Sequence, residues 1–221
     1  MSLSKKLVIA IDGPSSSGKG TIAKKIAEYF SIPYLNTGAL YRALAYLAIE
    51  ENYDLKTELE KILNLIKNIK DCDLESPKLH NETIAVAASQ IAKVPEIRRG
   101  LLDLQRNFVV DAVKDNNGAV LDGRDIGTVI CPDADYKFFI TASVEERAKR
   151  RYKQILSHNS SVEYEDILNQ LKLRDEQDVN RSLAPLKKAL DAIEIDNSYL
   201  TIDETLQIVI KHIKLPLSQI S

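Results

Sequence analysis

The chain has 221 residues, room for one sizeable α/β domain with sub-regions of its own. Hydrophobic residues make up 44%, charged residues 28%, and the formal net charge is −2, which excludes a general electrostatic pull towards nucleic acid polymers or anionic membranes. No apolar run approaches the ~20 residues of a membrane-spanning helix, and the two cysteines and three histidines form no metal-ligand pattern, so a reducing cytoplasm is the expected location.

Leu7–Asp12 is a continuous apolar run that stops at a Gly-rich turn, the form of a buried parallel strand. It is too short for the core of a signal peptide. Lys19–Phe30 predicts a helix with Ile22, Ala23, Ile26, Ala27 and Phe30 on one face. A short strand at Ile32–Leu35 follows, then helices at Leu40–Glu51 and Leu55–Ile69. The polar stretch Lys70–His80 breaks the pattern. Glu82–Lys93 and Pro95–Lys114 predict two more helices, the second with proline near its first position. Strands are expected at Ala119–Asp122 and Tyr136–Ile140. Ser143–Glu146 has the spacing of a capping box ahead of a charged helix. A polar gap at Ser157–Ser161, a helix to about Arg181, a strand at Ala192–Asp196 and a final helix capped by Thr201–Glu204 complete the chain. Strands alternating with helices predict an α/β fold with a parallel sheet covered on both faces, whose ligands bind at the carboxyl ends of the strands.

Gly13-x-x-x-x-Gly18-Lys19 lies between the first strand and the first helix. A chance match to three such positions somewhere in a chain this long has a probability of about one in twenty. The strand–turn–helix setting is what a phosphate-binding loop needs, because backbone N–H groups and the positive helix end then converge on polyphosphate. Pro14 has no N–H, so the donors come from about Ser16 to Thr21, and Lys19 would reach the terminal phosphates. Gly20 stands where the common pattern has a magnesium-binding Ser or Thr. Thr21 lies about 100° further round the helix and is no simple substitute. The bland alternative for this segment is a Gly/Ser-rich turn with no ligand.

The second half is rich in arginine. Arg147, Arg150 and Arg151 share a helix face by spacing, as do Arg174, Asp178 and Arg181, and Arg124 follows a strand end in Asp122–Gly127. Each pattern has a plain reading: a solvated basic face, a salt-bridge ladder, a surface ion pair. Together they suit recognition of several phosphates, since the guanidinium fork binds oxygens bidentately, and phosphoryl transfer consists mostly of positioning and charge neutralisation.

GPSSSGKGT, LNTGALYR, AASQIA, LDGRDIGT and RDEQDVNRSLAPL, in that order, closely resemble the bacterial cytidylate kinases, a branch of the nucleoside monophosphate kinases. The likeness runs from about Leu7 to Asp203. It implies a P-loop NTPase fold and transfer of phosphate from ATP to CMP or dCMP with Mg2+. It also implies a core of about residues 1–36, 115–150 and 176–221, a helical CMP-binding region over 37–114, a small closing lid over 151–175, and a monomer. Gly13, Pro14, Ser15, Ser16, Ser17, Gly18, Lys19, Gly20 and Thr21 would hold ATP. Thr37, Tyr41 and Arg42 would line the CMP site, Ser89, Arg98 and Asp125 would address cytosine, Arg124 and Arg181 the CMP phosphate, and Arg174 and Asp178 the ribose. Arg147 and Arg151 would face the transferring phosphate, making a catalytic set with Lys19 and Arg124. Apart from the resemblance, Asp122 at a strand end is the candidate for the metal, through water, with a turn-stabilising Asp as its plain alternative. The stretch between Arg42 and Ser89 is shorter than in long members of the family, which predicts a short insert with little or no added sheet. GKGT is the spelling of this kinase class, so Gly20 implies a metal held largely through water and the two nucleotides. UMP or AMP as acceptor is the nearest alternative. A nucleotide-switch NTPase is further off, since neither Ser or Thr after Lys19 nor an NKxD motif is present.

Overall fold

The computed structural model describes residues 6–156 and 162–213. The expected gap at Ser157–Ser161 lies outside the described residues. The elements are β1 (Leu7–Asp12), α1 (Lys19–Phe30), β2 (Tyr34–Asn36), α2 (Thr37–Glu50), α3 (Leu59–Leu65), α4 (Glu82–Ile91), α5 (Pro95–Asn116), β3 (Gly118–Gly123), β4 (Tyr136–Thr141), α6 (Val144–Leu156), α7 (Tyr164–Asn180), β5 (Ile193–Asp196) and α8 (Ile202–His212). Leu35–Val110 forms one compact unit and the remaining described residues form the other.

The five strands form one parallel sheet in the order β2-β3-β1-β4-β5, of which β1, β3, β4 and β5 belong to the larger unit. β1 lies between β3 and β4, with Ile11 opposite Asp122 and Asp12 opposite both Gly123 and Phe139. The register therefore brings the carboxyl ends of β1 and β3 side by side, and with them the two loops whose sequences suggest chemistry. Burial on both faces explains the unbroken apolar run of β1. Ile9, Ile11, Ile22, Ile26, Phe138 and Val209 pack in one core under α1 and α8, and each such side chain contributes roughly 1.5–3 kcal/mol by leaving water. A second cluster joins α6 to α7 through Ala148, Ile167, Leu168 and Leu171, with Tyr152 and Tyr164 edge to face at 6.1 Å.

The smaller unit is helical, and among its described residues there is no strand after Asn36, in line with a short insert. α2 packs against α4, and both bury small residues, Ala39, Ala43 and Ala48 on one and Ala85 and Ala88 on the other. Asn36 caps α2 by accepting from Ala39 N–H at 3.1 Å, so the helix starts at Thr37, three residues before the sequence pattern places it.

Other boundaries shift for physical reasons. The helix expected over Leu55–Ile69 is α3, only Leu59–Leu65, followed by a 3-10 helix over Ile66–Asp71. The Asp54 carboxylate accepts from Lys56 N–H and Thr57 N–H and holds a turn there that delays the helix. α7 ends at Asn180, with Arg181 already in extended backbone. The Ser143–Glu146 box is half formed: Glu146 N–H donates to Ser143 Oγ at 3.3 Å, while the Glu146 carboxylate turns to Lys149. The Thr201–Glu204 box is complete.

Gly118 opens β3 where a Cβ would run into the Leu7 carbonyl. The backbone cannot give way without breaking the β1–β3 register, so Gly118→Ala is expected to cost about 1–3 kcal/mol and lower Tm by several degrees in a thermal melt.

Candidate active site

The loop between β1 and α1 is held from behind. Its peptide carbonyls are taken up one after another by side chains: Pro14 O accepts from Lys19 Nζ at 3.1 Å and Ser15 O from Arg147 Nη1 at 3.2 Å. Ser17 O accepts from Asn197 Nδ2 at 2.9 Å and from Arg150 Nη1 at 3.4 Å. In a trans peptide C=O and N–H point to opposite sides. Each held carbonyl therefore sends the next N–H, of Ser15, Ser16 and Gly18, to the opposite side of its peptide plane, as an anion nest requires. Gly18, at the N-terminus of α1, has φ 85°, and Ser16 has φ 60°, the left-handed conformations that let successive N–H groups turn inward. At Gly13 a Cβ would overlap the Ile140 carbonyl. Ser17 is fully buried and its Oγ has no hydrogen-bond partner among the described residues, a polar atom that fits a phosphate oxygen.

Lys19 is buried, and burial brings its pKa down from 10.5 to about 7, helped by the nearby charges of Arg124 and Arg174 and opposed by Asp122 and Asp178. Asp12, absent from the sequence-based site, accepts from both Ile126 N–H and Gly127 N–H at 2.8 Å. It locks the end of β1 to a single π-helical turn, Ile126–Ile130, that no sequence signal predicts. Burial raises the Asp12 pKa to about 6, against the two N–H bonds, which favour the carboxylate.

Asp122, at the end of β3, is buried and accepts from Tyr34 Oη at 2.7 Å. A Cβ at Gly20 would stand 3.5 Å from that hydroxyl and 3.6 Å from Asp122 Oδ2. Among the described residues no three acidic, His or Cys side chains gather as a metal site. One carboxylate and a hydroxyl, both hard oxygen groups, do fit Mg2+, which keeps several waters and takes few protein ligands.

The arginines form an alternating ladder. Arg124 Nε bonds Asp178 Oδ2 at 2.7 Å, Arg181 Nη1 lies 3.9 Å from Asp178 Oδ1, and Arg181 Nη2 lies 3.6 Å from Asp125 Oδ1. Burial works against ionisation of Asp178, yet Arg124, Arg174 and Arg181 hold its pKa below the usual carboxylate value. Arg181 also donates to Ala184 O at 2.6 Å, so it belongs to the turn after α7 rather than to the helix face. The three arginines of α6 have different partners. Arg147, expected to face the transferring phosphate, is buried and committed: Nε donates to Ala142 O, Nη1 to Ser15 O, and the fork clasps Asp175 at 2.6 and 3.1 Å. Arg150 donates to Asn197 Oδ1 and O, and Arg151 donates to Gln154 Oε1 at 3.2 Å.

In the smaller unit, the Arg98 guanidinium lies 5.7 Å from the centre of the Tyr41 ring and donates to Ala92 O at 3.2 Å. Arg98 is 8% exposed and Thr37 4%, while Tyr41, Arg42 on α2 and Ser89 on α4 are half-buried. Asn197, Tyr34 and Asp12 escaped the sequence reading because each acts on a partner more than 80 residues away. No helix among the described residues is long and apolar enough to cross a membrane.

The sequence profile of a family described as cytidylate kinase matches residues 9–215. A cytidylate kinase of Bartonella tribocorum is 45% identical over 204 residues, 92% of this chain and 93% of that protein. Those of Bartonella bacilliformis and Methylocella silvestris are 46% and 43% identical, each over 89% of both chains. Among solved structures, an uncharacterized protein from Eubacterium ventriosum superposes with TM-score 0.52 at 18% identity, covering 94% of this chain and 98% of that one. A sugar kinase from a Janibacter species does so with TM-score 0.51 at 12% identity, covering 98% and 99%. These two are alike in fold alone, the P-loop NTPase fold. The profile match and the extent of the curated relatives together place the chain in the cytidylate kinase family.

Proposed function

We propose that the protein transfers the γ-phosphate of ATP to CMP or dCMP, giving ADP and CDP or dCDP. The observation that carries this reading is the phosphate loop whose Pro14, Ser15 and Ser17 carbonyls are held by the side chains of Lys19, Arg147, Arg150 and Asn197, in a chain whose named relatives match it along about nine-tenths of its length. In the proposed step a CMP phosphate oxygen forms a bond to the γ-phosphorus. The bond from that phosphorus to the β–γ bridging oxygen breaks, and ADP leaves with the electron pair. The attacking oxygen is already anionic, so no general base is required. Lys19 and the N–H groups of Gly13–Thr21 hold the ATP phosphates. Mg2+ bound with the nucleotide supplies charge neutralisation at the phosphates, and Asp122 is the side chain that would hold it, through water.

Arg124 and Arg181 are proposed to exchange part of their ladder for the CMP phosphate, and Arg174 and Asp178 to meet the ribose. Arg42, Thr37 and Tyr41 line the acceptor site. Ser89 and Arg98 donate to N3 and O2 of cytosine, and Asp125, a carboxylate, accepts from the N4 amine. Uracil offers O4 instead, and a buried acceptor facing another acceptor leaves both without a partner. Arg147 acts through the loop it holds, which leaves Arg151 to meet the charge that develops during transfer.

Assays coupled to ADP formation should show CMP and dCMP turned over well above UMP and AMP; equal or better use of UMP or AMP would replace the cytosine assignment. Arg181→Ala is expected to raise the KM for CMP by tenfold or more with a smaller change in kcat, and Arg151→Ala to lower kcat while leaving KM within a few-fold. The reverse partition would exchange their roles.

Lys19 gives a pH signature. With a pKa of about 7 in the free protein it is largely neutral at pH 8, and a bound polyphosphate favours the ammonium. ATP binding at pH 8 should therefore take up close to one proton, and affinity should fall as pH rises above 7. Calorimetry in buffers of different ionisation enthalpy reads this uptake, which Lys19→Met should abolish.

A further inference from the structure

The glycine after Lys19 leaves a specific space. An ordinary side chain at position 20 would project its Cβ to 3.5 Å from Tyr34 Oη and 3.6 Å from Asp122 Oδ2. Those are ordinary contact distances, so the site has room for a Cβ, and the polar atoms beside that room are a phenol and a carboxylate bonded to each other at 2.7 Å. The common phosphate loop puts a Ser or Thr hydroxyl at this position for the magnesium ion. Here a hydroxyl stands beside the same place, but it arrives from β2 rather than from α1.

We infer that Tyr34 supplies the hydroxyl that Gly20 lacks: the phenol fixes the Asp122 carboxylate and with it forms an outer anchor for the waters of a nucleotide-bound Mg2+. The inference rests on the phosphoryl-transfer reading above. Its logic is a trade of a direct ligand for an oriented pair. Mg2+ sheds water reluctantly, so a hydroxyl and a carboxylate that hold its waters can take the place of one protein oxygen in its inner shell. Groups of this kind, which orient what the metal binds, typically change metal affinity by 10- to 100-fold when removed. Tyr34 donates its proton to Asp122 Oδ1, so the phenol acts on the waters of the metal by fixing the carboxylate that receives them. The same bond orients the carboxylate, whose second oxygen faces the space at Gly20. Tyr34 is thus a positioning residue, acting through Asp122 and water.

The test is reciprocal replacement, read as binding rather than turnover. The affinity for a non-hydrolysable ATP analogue is measured by calorimetry with and without Mg2+ and without CMP, and the ratio of the two gives the metal coupling. Tyr34→Phe should reduce that ratio about tenfold, leave the metal-free affinity within twofold and keep the fold by circular dichroism. Adding Gly20→Ser should recover most of the ratio, since the serine hydroxyl enters the space beside Asp122. Three results would overturn the inference: wild-type coupling in Tyr34→Phe, an equal loss with and without Mg2+, or no recovery on adding Gly20→Ser. CMP phosphorylation by the unchanged protein, measured alongside, separates the cases. If transfer to CMP holds while Tyr34→Phe keeps full coupling, the role of Tyr34 falls and the function stands. If there is no transfer to CMP, the functional reading itself falls.

Discussion

A phosphate loop works only if its amides face inward before any phosphate arrives, and here that orientation is imposed from outside. Lys19, Arg147, Arg150 and Asn197 take up the carbonyls of Pro14, Ser15 and Ser17. Each carbonyl is a peptide plane, and fixing one end of the plane fixes the other. The side chains come from α1, α6 and the end of β5, so the nest depends on the sheet order that sets those elements around β1. A free loop would lose conformational entropy on binding, of the order of 1–2 kcal/mol for each residue ordered. A loop braced in advance has met much of that cost during folding.

The charge arrangement follows from the same economy. Positive groups gathered for phosphates repel one another when no phosphate is present. Asp178 and Asp125 are interleaved with Arg124 and Arg181, and Asp175 neutralises Arg147. Lys19, whose ammonium bonds the Pro14 carbonyl and no carboxylate among the described residues, answers differently: burial brings its pKa to about 7 and its charge is partly given up. Buried cations thus take one of two forms, paired or neutral, and an arriving polyphosphate changes the balance for both.

Much of this was legible in the sequence, for reasons that particular residues make clear. The β1 run, the Gly-rich turn and the Lys19–Phe30 helix are local patterns, and the structure reproduces them to the residue. The Thr201–Glu204 box is likewise complete in four consecutive positions. The spacing of Arg147, Arg150 and Arg151 gave their common direction round the helix but not their partners. Long guanidinium side chains from one face reach Asp175, Asn197 and Gln154. Asn197, Asp12 and Tyr34 left no signal, since a single polar residue beside a strand resembles any other until its distant acceptor or donor is known. Asp54 shows the same limit at short range: one side chain accepting two N–H groups outweighed the helical periodicity of the segment that follows.

The clasp of Arg147 on Asp175 makes α7 a lever. That helix carries Arg174 and Asp178 on either side of Asp175, and Asp175 grips the guanidinium whose other hand holds the Ser15 carbonyl. A tilt of α7 that breaks the ladder at Asp178 also pulls on the peptide plane between Ser15 and Ser16. The coupling runs both ways along that helix. In mechanical terms, the Asp178 ladder and the phosphate loop are geared to each other through α7 and the three bonds of Arg147.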